Sequence, residues 1–359
     1  MSAPRRRQRR PSRKTTSGSS TSRFPVGLAA GIVLAALNLR LAVASIPPIT
    51  DELHVVGVAG RAAGSSAALF AGTVLAGIGI AIGNVILPSI VKNRFEHATG
   101  LVTGTYVAAL TAGAALAAGL TVPLERSIGW QAALAVWALP AVAAFAVLGT
   151  TLSGDRTPSP IQGQSGGVQG LLRDRLAWQV TLYMGLQSLV FYAGLAWLAA
   201  ILRDDGYSPG TAGALLAVYA LGGIPSAAVV PVLAERMRDQ RVLAAVVCTA
   251  EGVALLGLLL ATDAAVAWVT LLALGQGGAF SLALALMVLR APNATVAADL
   301  SGMAQGFGYA LAALGPFAIG ALDDWSGSWD VALSALVAMT VPLLVVGVQA
   351  GRARTVGAG

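Results

Sequence analysis

Two ionisable side chains interrupt long apolar stretches of this sequence, Arg40 within 25–47 and Glu251 within 241–262. A charged group at the centre of a membrane-crossing helix costs about 2.5–3.5 kcal/mol even on the lenient insertion scale, so each invites a functional reading first. Arg40 would give a fixed positive charge and a forked donor suited to a small anion. Glu251 would give a carboxyl that takes up and releases a proton, as a coupling site needs. Each also has a structural reading. Arg40 lies about 15 residues, or about 22 Å, into its stretch, from where its side chain could extend to the lipid headgroups. Glu251, beside Gly252 and near Gly257, could instead bond a closely packed neighbouring helix.

Uncharged polar residues fall into stripes at helical spacing. Tyr183, Gln187 and Phe191 share one face with Ser188 and Tyr192 adjacent, and Ser301, Gln305 and Tyr309 share another. Asn84 and Gln276 stand in glycine-rich segments, and Asn38 sits two residues before Arg40, about 200° round the helix from it. Amides and phenols with one arginine are what a small planar anion or polar heteroaromatic would need; hydrogen bonding between helices is the competing use of each. The candidate substrate residues are therefore Asn38, Arg40, Asn84, Tyr183, Gln187, Tyr192, Gln276, Gln305 and Tyr309, with Glu251 as the candidate proton-coupling residue.

Other chemistry lacks its residues. One cysteine, Cys248, excludes a disulfide framework, and His54 and His97 alone cannot build a histidine-rich metal site. No His/Glu metal motif or pair of intramembrane carboxylates is present, so an enzyme is not expected, nor a metal or cofactor. Gly77, Gly79, Gly83, Gly275, Gly277 and Gly278 have no strand before them and no Lys-Ser or Lys-Thr after them, so they read as helix contacts and not as a phosphate cradle.

The elements that must position these residues are membrane helices. Of the 359 residues, 56% are hydrophobic and only 11% charged, and the mean hydropathy is +0.75. A water-soluble chain is about 25% charged, so this one belongs in a lipid bilayer. Ten stretches reach the roughly 20 residues a bilayer core requires: 25–47, 65–90, 101–123, 129–150, 178–201, 209–233, 241–262, 264–289, 299–322 and 329–350. Threading them in alternation places 19 of the 23 Lys+Arg on one side and Arg61, Arg126 and Arg203 on the other, with Arg40 inside a span. The positive-inside rule then predicts cytoplasmic termini in the cell membrane.

Eight of the basic residues crowd into the first 24, among Ser, Thr and Pro. That segment reads as a disordered basic tail acting as topology signal and lipid anchor, with no nucleic-acid partner expected. The predicted organisation is a 1–24 tail, a 25–150 N-terminal half of four helices, a 151–177 cytoplasmic linker, a 178–350 six-helix half and a 351–359 cytoplasmic tail.

The two halves carry a loose internal repeat. Gly77-Ile78-Gly79 through Trp130 and Pro140 is echoed about 200 residues later by Gly275-Gln276-Gly277 through Trp329 and Pro342. The opening helices align at an offset of about 153, and the difference of about 45 residues is the length of two spans with their loop. The second half has that pair of spans, and the first has only Val55 to Ser65 in their place.

Several segments together resemble the cyanate-permease (CynX/NimT) family of the major facilitator superfamily. They are Ala36-Leu37-Asn38-Leu39-Arg40, Gly83-Asn84-Val85-Ile86-Leu87-Pro88, Trp137-Ala138-Leu139-Pro140, Gly185-Leu186-Gln187-Ser188, Leu274-Gly275-Gln276-Gly277-Gly278-Ala279-Phe280, Ser301-Gly302-Met303-Ala304-Gln305 and Leu311-Ala312-Ala313-Leu314-Gly315-Pro316. The resemblance implies an all-α membrane protein of two pseudo-repeated six-helix halves, alternating access around a central site, and secondary active transport of a small anion or polar heterocycle, cyanate-like or nitroimidazole-like. A small-molecule substrate, protons and the bilayer are the expected partners, and the expected state is a monomer. This sequence departs from the pattern where the second and third helices belong, leaving about ten. A second reading follows: a truncated family member, by deletion or by a gene-model artefact, that does not transport.

Overall fold

The computed structural model describes residues 88, 90–92, 94–95, 98–129 and 167–357. Asn38, Arg40 and Asn84, the basic tail, the first and fourth expected spans and the Val55 to Ser65 junction lie outside them. Every regular element described is helical: α1 (Thr99–Ile128), α2 (Gly167–Leu171), α3 (Arg175–Asp204), α4 (Pro209–Leu221), α5 (Ile224–Arg236), α6 (Arg241–Leu260), a 3-10 turn (Thr262–Ala264), α7 (Ala265–Leu289), α8 (Ala294–Ser326) and α9 (Trp329–Ala350). Among the described residues, six segments are long and apolar enough to cross a membrane, with α4 and α5 together forming one of them.

Local chemistry sets the ends. Asp174 caps α3 by accepting the amides of Leu176 at 2.7 Å and Ala177 at 3.1 Å, and Ser208, followed by Pro209, caps α4. Asn293 and Ser328 cap α8 and α9 in the same way, where side-chain oxygens satisfy amides with no partner inside the helix. Gly327 closes α8 at φ +67°, a left-handed conformation open to glycine.

The expected span 209–233 is two helices. Gly222 and Gly223 break it, and Pro225 at the start of α5 has no amide to continue the ladder. The break serves packing: a Cβ on Gly277 would overlap the Gly223 carbonyl, so α7 crosses backbone to backbone here. Gly185 of α3 and Gly308 of α8 make a second such crossing, where a Cβ on Gly185 would stand 3.1 Å from the Gly308 Cα.

Charged residues divide between two sets of loops, which gives the bundle two chemically distinct ends. Arg173, Arg175, Arg236, Arg238, Arg241, Arg290, Arg352 and Arg354 collect at one; Asp204, Asp205, Asp263, Asp323, Asp324 and Asp330 mark the other. At the acidic end burial, followed by repulsion from Asp330, raises the Asp205 carboxyl above its ordinary value.

The basic end is closed by bonds among loops. Arg290, 4% exposed, donates through Nε to the Ala350 carbonyl at 2.9 Å and through Nη2 to the Gly351 carbonyl at 3.0 Å and to Gln240 Oε1. Gln240 in turn donates to the carbonyls of Ala234 at 2.9 Å and Met237 at 2.7 Å. The segment after α9 folds back on this hub: the Val356 amide donates to the Arg290 carbonyl at 2.9 Å, and that of Gly357 to Asp174 Oδ2 at 2.6 Å.

α1, the N-terminal helix described in full, packs on α5. Gly100 and Gly104 put its backbone against the carbonyls of Pro231 and Ala228, each 2.5 Å from where a Cβ would stand. The Gly100 amide donates to Glu235 Oε2 at 2.7 Å, so a carboxylate from one half caps the positive N-terminus of a helix from the other.

Candidate functional site

Halfway along the helices the packing leaves a small cavity, mostly apolar with a few polar groups. α3 contributes Gln187, Ser188, Phe191 and Tyr192, α4 contributes Tyr219, α7 contributes Gln276 and Phe280, and α1 reaches across from the first half with Thr111. The floor is made of Gly223, Ala273 and Gly277, where two backbones meet and side chains are absent or small.

The polar groups are held by bonds to nearby backbone and side chains. Gln187 Nε2 donates to Ser188 Oγ at 2.6 Å and to the Met184 carbonyl at 3.1 Å, and the Tyr219 hydroxyl donates to the Phe191 carbonyl at 3.2 Å. Phe191 stacks on Tyr219 with centroids 5.7 Å apart and meets Tyr192 edge-on at 5.3 Å. The result is an aromatic wall beside amides and hydroxyls.

Behind the cavity lies Glu251. It is fully buried on α6, in room that a side chain at Gly275 would take, since a Cβ there would stand 2.8 Å from Glu251 Cγ. Gln276 Nε2 donates to Glu251 Oε2 at 3.2 Å. Glu251 Oε1 and Gln276 Oε1 are buried and have no hydrogen-bond partner. Most buried polar atoms are paired, so two open acceptors side by side need a reason.

The structure thus gathers Gln187 and Tyr192 from one stripe and Gln276 from a glycine-rich segment around one space and sets Glu251 one residue behind it. It separates the others. Tyr183 is fully buried away from the cavity, near Cys248 and against Gly347. Gln305 donates to Ser301 one turn earlier at 2.8 Å, and Tyr309 lies in the neighbourhood of Tyr106 of α1. Thr111, Tyr219 and Phe280 join the lining without having been candidates; a tyrosine in the otherwise small and apolar 209–221 was the signal that could have marked Tyr219.

Comparison with known proteins agrees with this architecture. Residues 26–316 match the model of the Major Facilitator Superfamily. The chain belongs to that superfamily. It is 38% identical to an uncharacterized transporter, YycB, of Bacillus subtilis (strain 168), over 84% of this chain and 75% of that one. To the 2-nitroimidazole transporter of Escherichia coli (strain K12) it is 37% identical over 84% and 77%. To the cyanate transport protein CynX of the same organism it is 34% identical over 74% and 68%. The fold matches the crystal structure of a bacterial homologue of the iron transporter ferroportin in an outward-facing state, with a TM-score of 0.64 at 16% identity, covering 91% of this chain and 86% of that one. This facilitator is therefore a multi-pass membrane protein of a transporter family, and its relatives point away from an enzyme. The glycines at 275, 277 and 278 are helix contacts in it, as their setting in the sequence implied.

Proposed function

We propose that this facilitator is a secondary active transporter of a small anion or polar heterocycle of cyanate-like or nitroimidazole-like chemistry, working by alternating access. The observation that carries the reading is the cavity shared between α1 and the second half, where Gln187, Ser188, Thr111 and Gln276 face Phe191, Tyr192 and Tyr219. Amides and hydroxyls there supply donors to an oxygen or nitrogen acceptor, and the rings supply a flat apolar contact. Two relatives named for transport of 2-nitroimidazole and of cyanate support the same class. Arg40, with Asn38 and Asn84, would add charge and further amides from the first half; Glu251 would carry the coupling proton. The basic end would face the cytoplasm with both termini, in the cell membrane, and the protein would act as a monomer.

Uptake into proteoliposomes tests this. With an imposed pH gradient, radiolabelled cyanate or 2-nitroimidazole should enter faster than into empty vesicles. Arg40→Gln should nearly abolish cyanate entry, and Gln187→Leu should slow entry of both by about tenfold, the size of one lost hydrogen bond. Uptake equal to that of empty vesicles, with folded protein present, would instead establish the second reading, a family member without transport.

A further inference from the structure

Glu251 and Gln276 form a pair whose hydrogen bond can run either way, and ionising the carboxyl leaves only one of the two. As it stands, Gln276 Nε2 donates to Glu251 Oε2, the one direction an ionised carboxylate allows, although the carbonyl oxygen of a neutral carboxyl would accept it too. A protonated Glu251 has an O–H of its own, and Gln276 Oε1, buried with no partner, is the acceptor one amide turn away. Turning the amide about its last bond exchanges Oε1 and Nε2 at nearly the same two positions, so it needs no new space. Because Gln276 also lines the cavity, the exchange changes what the cavity presents.

We propose that Gln276 is a proton-set switch of hydrogen-bond polarity in the substrate cavity: with Glu251 ionised it shows the cavity its carbonyl, and with Glu251 protonated it shows its amide donor. An acceptor-rich or anionic substrate is then bound with the proton and released when the proton returns to water, which ties the two movements together. This rests on the reading of the cavity as the substrate site. Gln276 is a positioning residue for the proton and a contact for the substrate.

The surroundings leave the switch to this pair. The titratable groups near Glu251 are Cys248 on its own helix, Tyr183 on α3 and Tyr219 on α4. Of the elements packed on α6, α7 has no titratable side chain, α9 has only Asp330 in its first turn, and the 3-10 turn has Asp263; both aspartates stand at the acidic end. Gln187, the other cavity amide, already donates to Ser188 and the Met184 carbonyl and has no such partner.

The test uses the full chain in lipid nanodiscs. Glutamine side chains are labelled with nitrogen-15, and the Gln276 signal is assigned by its loss in Gln276→Leu. It should shift as the sample is titrated between acid and alkaline pH, and in Glu251→Gln it should hold the acid position throughout. In parallel, binding of cyanate and of 2-nitroimidazole is measured on the same three proteins, and the ratio of variant to wild type at each pH cancels the probe's own titration. Wild type should bind about tenfold more tightly than Gln276→Leu at acid pH and no more tightly at alkaline pH. A Gln276 signal that stays put, or that shifts equally in Glu251→Gln, overturns the switch whatever the probes do. A signal that shifts while neither probe binds leaves the switch standing and sinks the substrate reading instead.

Discussion

Two buried glutamines each meet a buried ionisable side chain, Gln240 with Arg290 at the basic end and Gln276 with Glu251 behind the cavity, and they are bonded in opposite ways. Gln240 uses both ends of its amide, donating to Ala234 and Met237 and accepting from Arg290. Arg290 adds the carbonyls of Ala350 and Gly351. Burial lowers the guanidinium's pKa to about 10, which leaves it charged near neutral pH, with Nε and Nη2 both donating. Gln276 and Glu251 share one bond and leave an oxygen open on each. A satisfied network fixes one arrangement; a half-satisfied one keeps a second arrangement within reach. The first pair is built to hold loops together, and the second is placed where a change of state reaches the cavity.

Stability should separate the pairs most. Arg290→Met leaves the Ala350 carbonyl and the Gln240 oxygen without their donor, each costing about 1–3 kcal/mol, and takes one of two donors from the Gly351 carbonyl, so the melting temperature in detergent should drop sharply. Glu251→Leu replaces a half-bonded carboxyl by an apolar group of similar size and strands one donor, Gln276 Nε2, so it should cost about 1–3 kcal/mol, less than Arg290→Met. The reverse order in thermal unfolding would break the comparison.

A smaller effect is expected where α7 crosses the break between α4 and α5. Gly277→Ala puts a methyl on the Gly223 carbonyl, costing about 1–3 kcal/mol by overpacking, and it moves the residue beside Gln276. Probe binding should fall in this variant together with stability, and intact binding would show that the amide's position tolerates the shift.

The least effect belongs to the exposed pair beside the hub. Asp239 accepts from Arg241 at 2.7 Å, and that bond holds its carboxyl below the ordinary value. Its contribution is therefore present above the unfolded pKa and is lost as pH falls through the lower folded one. Asp239→Asn should remove a shallow acid-side slope in stability that salt also weakens, while leaving the Arg290 effect intact. A stability change as large as that of Arg290→Met would place Asp239 in the hub itself.

Much of the described chain was legible in the sequence because bilayer burial demands long apolar runs. The runs at 178–201, 241–262, 264–289 and 329–350 are helices within a few residues of those bounds, and 299–322 extends to Ala294–Ser326 because Asn293 and Gly327 supply its end signals. The run at 209–233 reads as one helix by hydropathy, which does not register that Gly222, Gly223 and Pro225 stop the backbone ladder. The candidate site was legible in part. The spacing of Gln187 and Tyr192 fixes where they sit on α3, yet Tyr183, one turn before Gln187, faces Cys248 and the interior instead of the cavity.

Composition and periodicity determined by themselves that this is a helical membrane chain with its basic residues gathered at one end, because each helix meets lipid on its own and its hydropathy is a local quantity. Which polar side chains face one another was decided only by the tertiary structure. Glu251 and Gln276 are 25 residues apart, and they meet because Gly275 leaves room for the carboxyl and Gly277 lets α7 close on Gly223. A hydrogen bond between helices depends on the rotation and depth of both, and no single helix's sequence carries that information.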